Sequence, residues 1–309
     1  MSLMSLAFAM LANTDAYANA NTEAPSPSSS HPDPTPLLTF TMSKHFAPQF
    51  DSSAQFAMKK RLDRVTFELS RDPPPDMNCA QTLGAKRFAT LFDDLGGAYT
   101  NMGDDARAAD AFAKAISCDP RSGFLHAELA AALLDSGRYS EARAETQRQL
   151  SLGRADFTLY TLITQLDFIE DRWAEAVTDA RLAAMEAPDD EQATYWQCFL
   201  WLAQKRIGTE EPVLAKRRIT TNWPGPVLDT LQGKITEAEL VDAIKSEQDA
   251  HRQREVLTEA LFYTGYMRLA AHHVDEAVSY LTAAENLKVL YFIEHHLAVA
   301  ELQKLRHRD

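Results

Sequence analysis

The chain has little glycine and few aromatic rings. Eleven glycines in 309 residues, with 9% Phe, Trp and Tyr, suit a sheet protein poorly, and the abundance of Ala and Leu favours an all-helical chain. Basic residues are also in short supply, with 31 Lys and Arg against 44 Asp and Glu and a formal net charge of −13. Nucleic acid and anionic membrane surfaces reward the opposite sign, so neither is an expected partner. Cysteine is scarce: Cys79, Cys118 and Cys198 form no CxxC pair and no metal-ligand spacing, and each reads as a small buried apolar side chain. The apolar run LMSLAFAMLA at 3–12 is too short to cross a bilayer as a helix, and no membrane span is expected. No HExxH, GxSxG, phosphate loop or dinucleotide fingerprint is present. No catalytic, metal or cofactor-binding residue is therefore nominated, and the chain reads as a non-enzyme.

What is present is organised around LGGAYTNMGDDARAADAFAKAISCDP, residues 95–120. It reads as a hairpin of two helices. Gly96 and Ala108 let the helices approach, Tyr99 and Phe112 fill the space beside them, and Pro120 stops the second helix. Stepping 34 residues takes Ala108 to Ala142 and Ala176, and Gly103 to Gly137, while Pro120 returns after two steps as Pro188. That period is the tetratricopeptide (TPR) one. The expected fold is all-α, a TPR-type α-solenoid of antiparallel helix hairpins, with the array over 79–204 and repeats near 89–122, 123–156, 157–190 and a partial 191–204. Repeat two departs at Thr146 and Gln149, which replace the aromatic and the Ala, and in repeat three Thr164 replaces the small residue of the first helix. An irregular helical segment, 205–250, holds a capping box at Thr236-Glu237-Ala238-Glu239. A C-terminal TPR-like hairpin and capping helix occupy 251–309, with Gly265, Ala277, Leu281 and Ala284 in repeat-like positions.

Ahead of the array, 1–18 reads as a signal peptide ending at Ala16-Tyr17-Ala18, although basic residues are missing in front of its apolar run. Residues 19–50, with Pro25, Pro27, Pro32, Pro34 and Pro36, read as a disordered tether. A helix over 51–71 carries Met58, Leu62, Val65 and Leu69 on one face, which needs either the first repeat or a second copy of the chain as its partner. These four are the candidate dimerisation residues.

In a TPR array the first helix of each hairpin lines the concave side. The candidate protein-binding groove is Thr90, Asp93, Asp94, Thr100 and Asn101 from repeat one, Phe124, Glu128, Leu134 and Asp135 from repeat two, and Gln165 from repeat three. Carboxylates mixed with Phe and Leu suit a partly basic, partly apolar peptide. His272-His273 and Glu294-His295-His296 read as a solvated turn and as capping or interhelical hydrogen bonding; neighbouring helical histidines diverge by about 100° and share a metal poorly.

Three stretches carry a more specific resemblance: ATYWQCFLWLAQKR after the third repeat, NWPGPVLDTLQGKITEAELVDAIK, and EALFYTGYMRLAAHHVDEAVSYLTAAE closing with FIEHHLAVAEL. From about Cys79 to Leu305 the chain resembles the NlpI-like TPR proteins of the bacterial cell envelope. The resemblance implies a non-enzymatic, homodimeric adaptor that brings a tail-specific periplasmic protease to peptidoglycan endopeptidases and scaffolds cell-wall enzymes. The family's lipidated N-terminal cysteine has no counterpart before Cys79, so the expected location is the periplasm without a lipid, with outer-membrane association through partners. The alternatives are a cytoplasmic TPR chaperone or assembly factor for a secretion or pilus system, and a hydrolase using Glu294 and His295.

Overall fold

The computed structural model describes residues 35–44, 52–71, 79–81, 83–210 and 220–307, without the side chains of 52–58. The signal segment, most of the tether, the Met58 side chain and 211–219 lie outside the described residues. Among those described there are fourteen α-helices and no strand.

Six helices form three consecutive hairpins: α3 (Ala85–Asn101) with α4 (Asp105–Cys118), α5 (Gly123–Asp135) with α6 (Tyr139–Ser151), and α7 (Phe157–Ile169) with α8 (Trp173–Glu186). The second helices begin at Asp105, Tyr139 and Trp173, and α5 and α7 begin at Gly123 and Phe157, so the 34-residue step governs the backbone. Side-chain caps explain several starts: Asp104, Ser122 and Asp156 each accept a hydrogen bond from the amide three residues on. Within each hairpin one left-handed residue makes the turn, Gly103 (φ 70°), Gly137 (φ 77°) and then Asp171 (φ 56°). The step survives where the glycine does not.

The helix-to-helix distance is set at one pair of positions. A Cβ on Gly96 would lie 2.5 Å from a ring carbon of Phe112, and one on Gly265 would lie 3.0 Å from Leu281. The corresponding pairs in the other two hairpins are Ala130 with Thr146 and Thr164 with Ala180, all buried. Thr146 and Thr164, which break the sequence pattern, therefore exchange bulk across the same contact.

The core follows the chain in three clusters. The first joins Val65 of α2 (Ser52–Arg71) to Phe88, Leu91, Phe92 and Cys118; the second joins Phe112, Ala130 and Leu133 to Leu162 and Leu166; the third runs from α7 to the C-terminus. Two cysteines depart from the sequence reading. Cys79, in a 3-10 turn (Cys79–Gln81), is disulfide-bonded to Cys118 at the end of α4, with Cα atoms 4.5 Å apart, which closes the first hairpin. Cys198 alone is a buried thiol.

After the hairpins, α9 (Asp190–Ile207) is followed by α10 (Gly225–Leu231), α11 (Glu237–Lys245), α12 (Ala250–Ala270), α13 (Val274–Leu287) and α14 (Ile293–Arg306). The capping box at Thr236 and Glu239 is present at the start of α11. Aromatic rings, scarce overall, concentrate where α9 meets α12: Trp196 stacks on Phe199 at 4.8 Å, and Phe199 meets Phe262 and Tyr263.

Two expectations are corrected here. The segment 19–50 is not wholly a tether, because Pro36–Met42 forms α1 on the C-terminal helices. Leu37 is fully buried, its amide donates to Glu237 Oε1 at 2.9 Å, and Lys44 reaches Gln253 at 2.7 Å. Nor does α14 only cap the end of the array. It doubles back along the hairpin turns: Leu290, just before it, approaches Gly103; His296 lies 3.8 Å from Asp135; and Lys304 donates to the Phe168 carbonyl at 3.1 Å and to Asp171 at 2.8 Å.

Gly96 and Gly97 give opposite expectations. Gly96→Ala should destabilise by about 1–3 kcal/mol through overpacking. Gly97→Ala, whose Cβ meets only an Arg61 nitrogen at 3.8 Å, should gain up to about 1 kcal/mol of helix propensity. Urea unfolding of the two variants checks this, and equal effects would contradict the packing argument.

Candidate functional site

The concave face expected from α3, α5 and α7 is only partly open. Along α3, Arg61 and Arg64 of α2 reach across to the two carboxylate oxygens of Asp94, the second at 3.0 Å, and burial beside Asp94 raises the Asp93 carboxyl. Asp94 therefore holds α2 in place instead of facing a partner. The two arginines, one turn apart on a helix opposite an Asp-Asp pair, were the signal for this contact in the sequence. Val65 is fully buried in the first-hairpin cluster and Leu69 packs against it, so the first repeat is the partner of this face. Leu62 is half-buried.

Along α7, every residue from Phe157 to Phe168 is buried. Gln165 is among them, with its amide donating to the Thr161 carbonyl at 3.1 Å, and Leu134 at the end of α5 is buried as well. Neither faces an open groove, because α14 closes over this end. Arg143 of α6 locks the second and third hairpins from another side, donating to Asp167 at 2.6 Å and to Glu170 at 2.7 Å. Asp179 shares that site, and burial next to Asp167 pushes its carboxyl up to about 7.

The open remainder is short. Thr90, Thr100 and Asn101 are exposed, with Thr100 and Asn101 hydrogen-bonded to carbonyls of their own helix. Phe124 is 51% exposed, a large apolar surface at the start of α5, and Glu128 is half-buried. At the far end of α5, Asp135 faces a cavity of about 310 Å³ between the α5–α6 turn and α14, walled by Leu134, Tyr139, Ile169, Val299 and both histidines of α14. Burial raises the Asp135 carboxyl, and it pushes Asp105 up to about 6 with the help of Asp135's charge.

Among the described residues, Glu294 pairs with tyrosines and not with His295. Glu294 is fully buried where α9, α12 and α14 meet, and accepts hydrogen bonds from the Tyr195 and Tyr263 hydroxyls, the latter at 3.0 Å. Nearby Glu259 accepts from the Trp223 indole at 2.6 Å. Burial pushes Glu294 up to about 7 and raises Glu259 well above the usual carboxylate range. The arrangement is a sealed polar knot inside the aromatic junction. Among the described residues, no group of three or more His, Cys, Asp or Glu side chains is placed to hold a metal ion, and no helix is long and apolar enough to cross a membrane.

No family model matches the chain, and no curated protein does.

The knot makes stability pH-dependent in a definite direction. Glu294 keeps its proton in the folded chain where the unfolded chain has lost it, so its effect is constant below pH ~4.5. As pH rises from there to about 7, stability falls by roughly 3 kcal/mol. Glu294→Gln should flatten that fall and melt higher than the parent at pH 8. Thermal unfolding from pH 5 to pH 8 tests it, and parallel pH profiles would refute it.

Proposed function

We propose that the chain is a non-enzymatic TPR adaptor of the bacterial cell envelope that brings a tail-specific protease to peptidoglycan hydrolases, endopeptidases among them, and organises cell-wall enzymes. The observation that carries this reading is an array of hairpins whose turns are braced by its own last helix, with an open stretch of α3 and α5 between the α2 and α14 covers. A braced surface binds without first ordering itself, which saves affinity otherwise lost to conformational entropy. Holding two partners on one frame raises the local concentration of substrate at the protease. The 34-residue step of the helices supports the TPR assignment. The Cys79–Cys118 disulfide supports the periplasm over the cytosolic chaperone or assembly-factor alternative, because disulfides persist in oxidising compartments.

A homodimer, implied by the resemblance, would have to use another side of α2 than Val65 and Leu69. Phe67, exposed on that helix, is the side chain available for it.

Affinity capture of the tagged full chain from envelope extract tests the adaptor reading. Recovery of a tail-specific protease or a peptidoglycan hydrolase is expected, with the mature chain starting near Asn19 and Cys79 resisting alkylation until reduced. Phe124→Ala should weaken capture roughly tenfold, as for an anchor side chain. An intact Met1, alkylatable Cys79 and cytosolic partners would overturn the reading.

A further inference from the structure

The cavity beside Asp135 is built for a positive charge with an apolar stem. Asp135 keeps 26% of its side-chain exposure, and its charge partner is His296 at 3.8 Å. That histidine uses Nε2 to donate to the Leu290 carbonyl at 2.7 Å, which holds the ring in place. Among the described residues no lysine or arginine pairs with Asp135 or with Asp105, the neighbouring carboxylate. Two acids close enough to repel, with His296 beside them and no lysine or arginine paired to either, form a local well of negative potential.

A second observation points the same way. His295 lines this cavity, is only 8% exposed, and its Nδ1 has no hydrogen-bond partner. Burial lowers this imidazole to about 4, so it stays neutral at physiological pH. A neutral imidazole offers one acceptor nitrogen and a carboxylate offers two acceptor oxygens. The acceptor oxygens offered to the cavity are those of Asp135, while Leu134, Ile169 and Val299 provide an apolar wall. A lysine or arginine side chain has the matching shape: a head that only donates hydrogen bonds, on a stem that packs against apolar surface.

We propose that the cavity between the α5–α6 turn and α14 is a receptor for a basic side chain of a bound partner peptide, with Asp135 as its principal anchor. This deepens the adaptor reading and rests on it for the source of the side chain. A peptide crossing the open face of α5 would meet Phe124 near one end of that helix and Asp135 at the other. With 1.5 Å of rise per residue, the separation along the helix is about 16 Å. An extended chain spans that distance in about five residues, so the partner is expected to carry an apolar residue about five positions from its basic one.

The test is titration of the histidine-labelled full-length protein with N-acetyl-L-arginine amide, read by imidazole NMR signals. N-acetyl-L-citrulline amide serves as the uncharged isostere. A saturable shift of the His295 and His296 signals at millimolar arginine probe is expected, with no shift from citrulline. Asp135→Asn should weaken binding at least tenfold, and Asp275→Asn, far from the cavity on α13, should leave it unchanged. If Asp135→Asn does not fold by circular dichroism, Asp105→Asn, which weakens the same field from α4, carries the test. Equal shifts with citrulline, or unchanged binding in the Asp135 and Asp105 variants, would overturn the proposal. Spermidine competing at tenfold lower concentration than the arginine probe would overturn it in favour of a free polyamine. A failed partner capture would remove the adaptor reading and leave this titration standing; a failed titration would remove the cavity's role and leave the adaptor reading standing.

Discussion

Lys304 ties residues 133 positions apart, pairing with Asp171 at the turn of the third hairpin while also reaching Glu301 on its own helix. It is one end of a longer seam. From Leu290 through His296 to Lys304, the last helix and the residues before it run beside the turns of the first, second and third hairpins. A stack of hairpins touching only nearest neighbours bends through the sum of small rotations at each interface. A strut across several turns at once removes most of that freedom. The shape of the open face on α3 and α5 depends on this seam, and so does the cavity at Asp135, since one wall belongs to α5 and α6 and the other to α14.

The strut needs a firm base, and the aromatic junction supplies one. Alanine dominates the interfaces between hairpin helices, whereas the large rings gather where α9, α12 and α14 converge. Buried inside that junction, Glu294 and Glu259 are held by tyrosine and tryptophan donors. Carboxylates so placed are unfavourable as charges, and the protonated form is the cheaper state. Their directional bonds specify how three helices meet, where apolar surfaces alone would tolerate sliding. On the far side α1 adds a strap: its Leu37 and the Thr35 hydroxyl engage the pocket of Glu237 and Tyr280 at the C-terminal end.

Much of the architecture was legible because it is local. The capping box at Thr236 depends on residues three positions apart, and the 34-residue step on spacings within and between successive hairpins. Even the apparent defects, Thr146 and Thr164, fall at positions whose helix partners, Ala130 and Ala180, compensate for them. What stayed hidden was long-range. Nothing in a periodicity says that α14 returns over α7, so Gln165 and Leu134 read as groove residues when they are interior. Asp94 read as a free carboxylate because Arg61 and Arg64 lie thirty or more positions before it. The Cys79–Cys118 bond was missed for a related reason: the two residues lie 39 positions apart, and a short 3-10 turn at Cys79 brings it back to the end of α4. Phe124 and Asp135, by contrast, are accessible where the repeat register put them.

The most direct test of the bracing claim is a distance distribution between spin labels at two exposed positions, Asn101→Cys at the end of α3 and Arg306→Cys at the end of α14. If α14 is fixed along the hairpin turns, double electron–electron resonance gives one narrow distance, unchanged by dilution of the protein. A broad or multi-peaked distribution would mean that the last helix moves independently of the hairpins, and the account of a braced open face would fail.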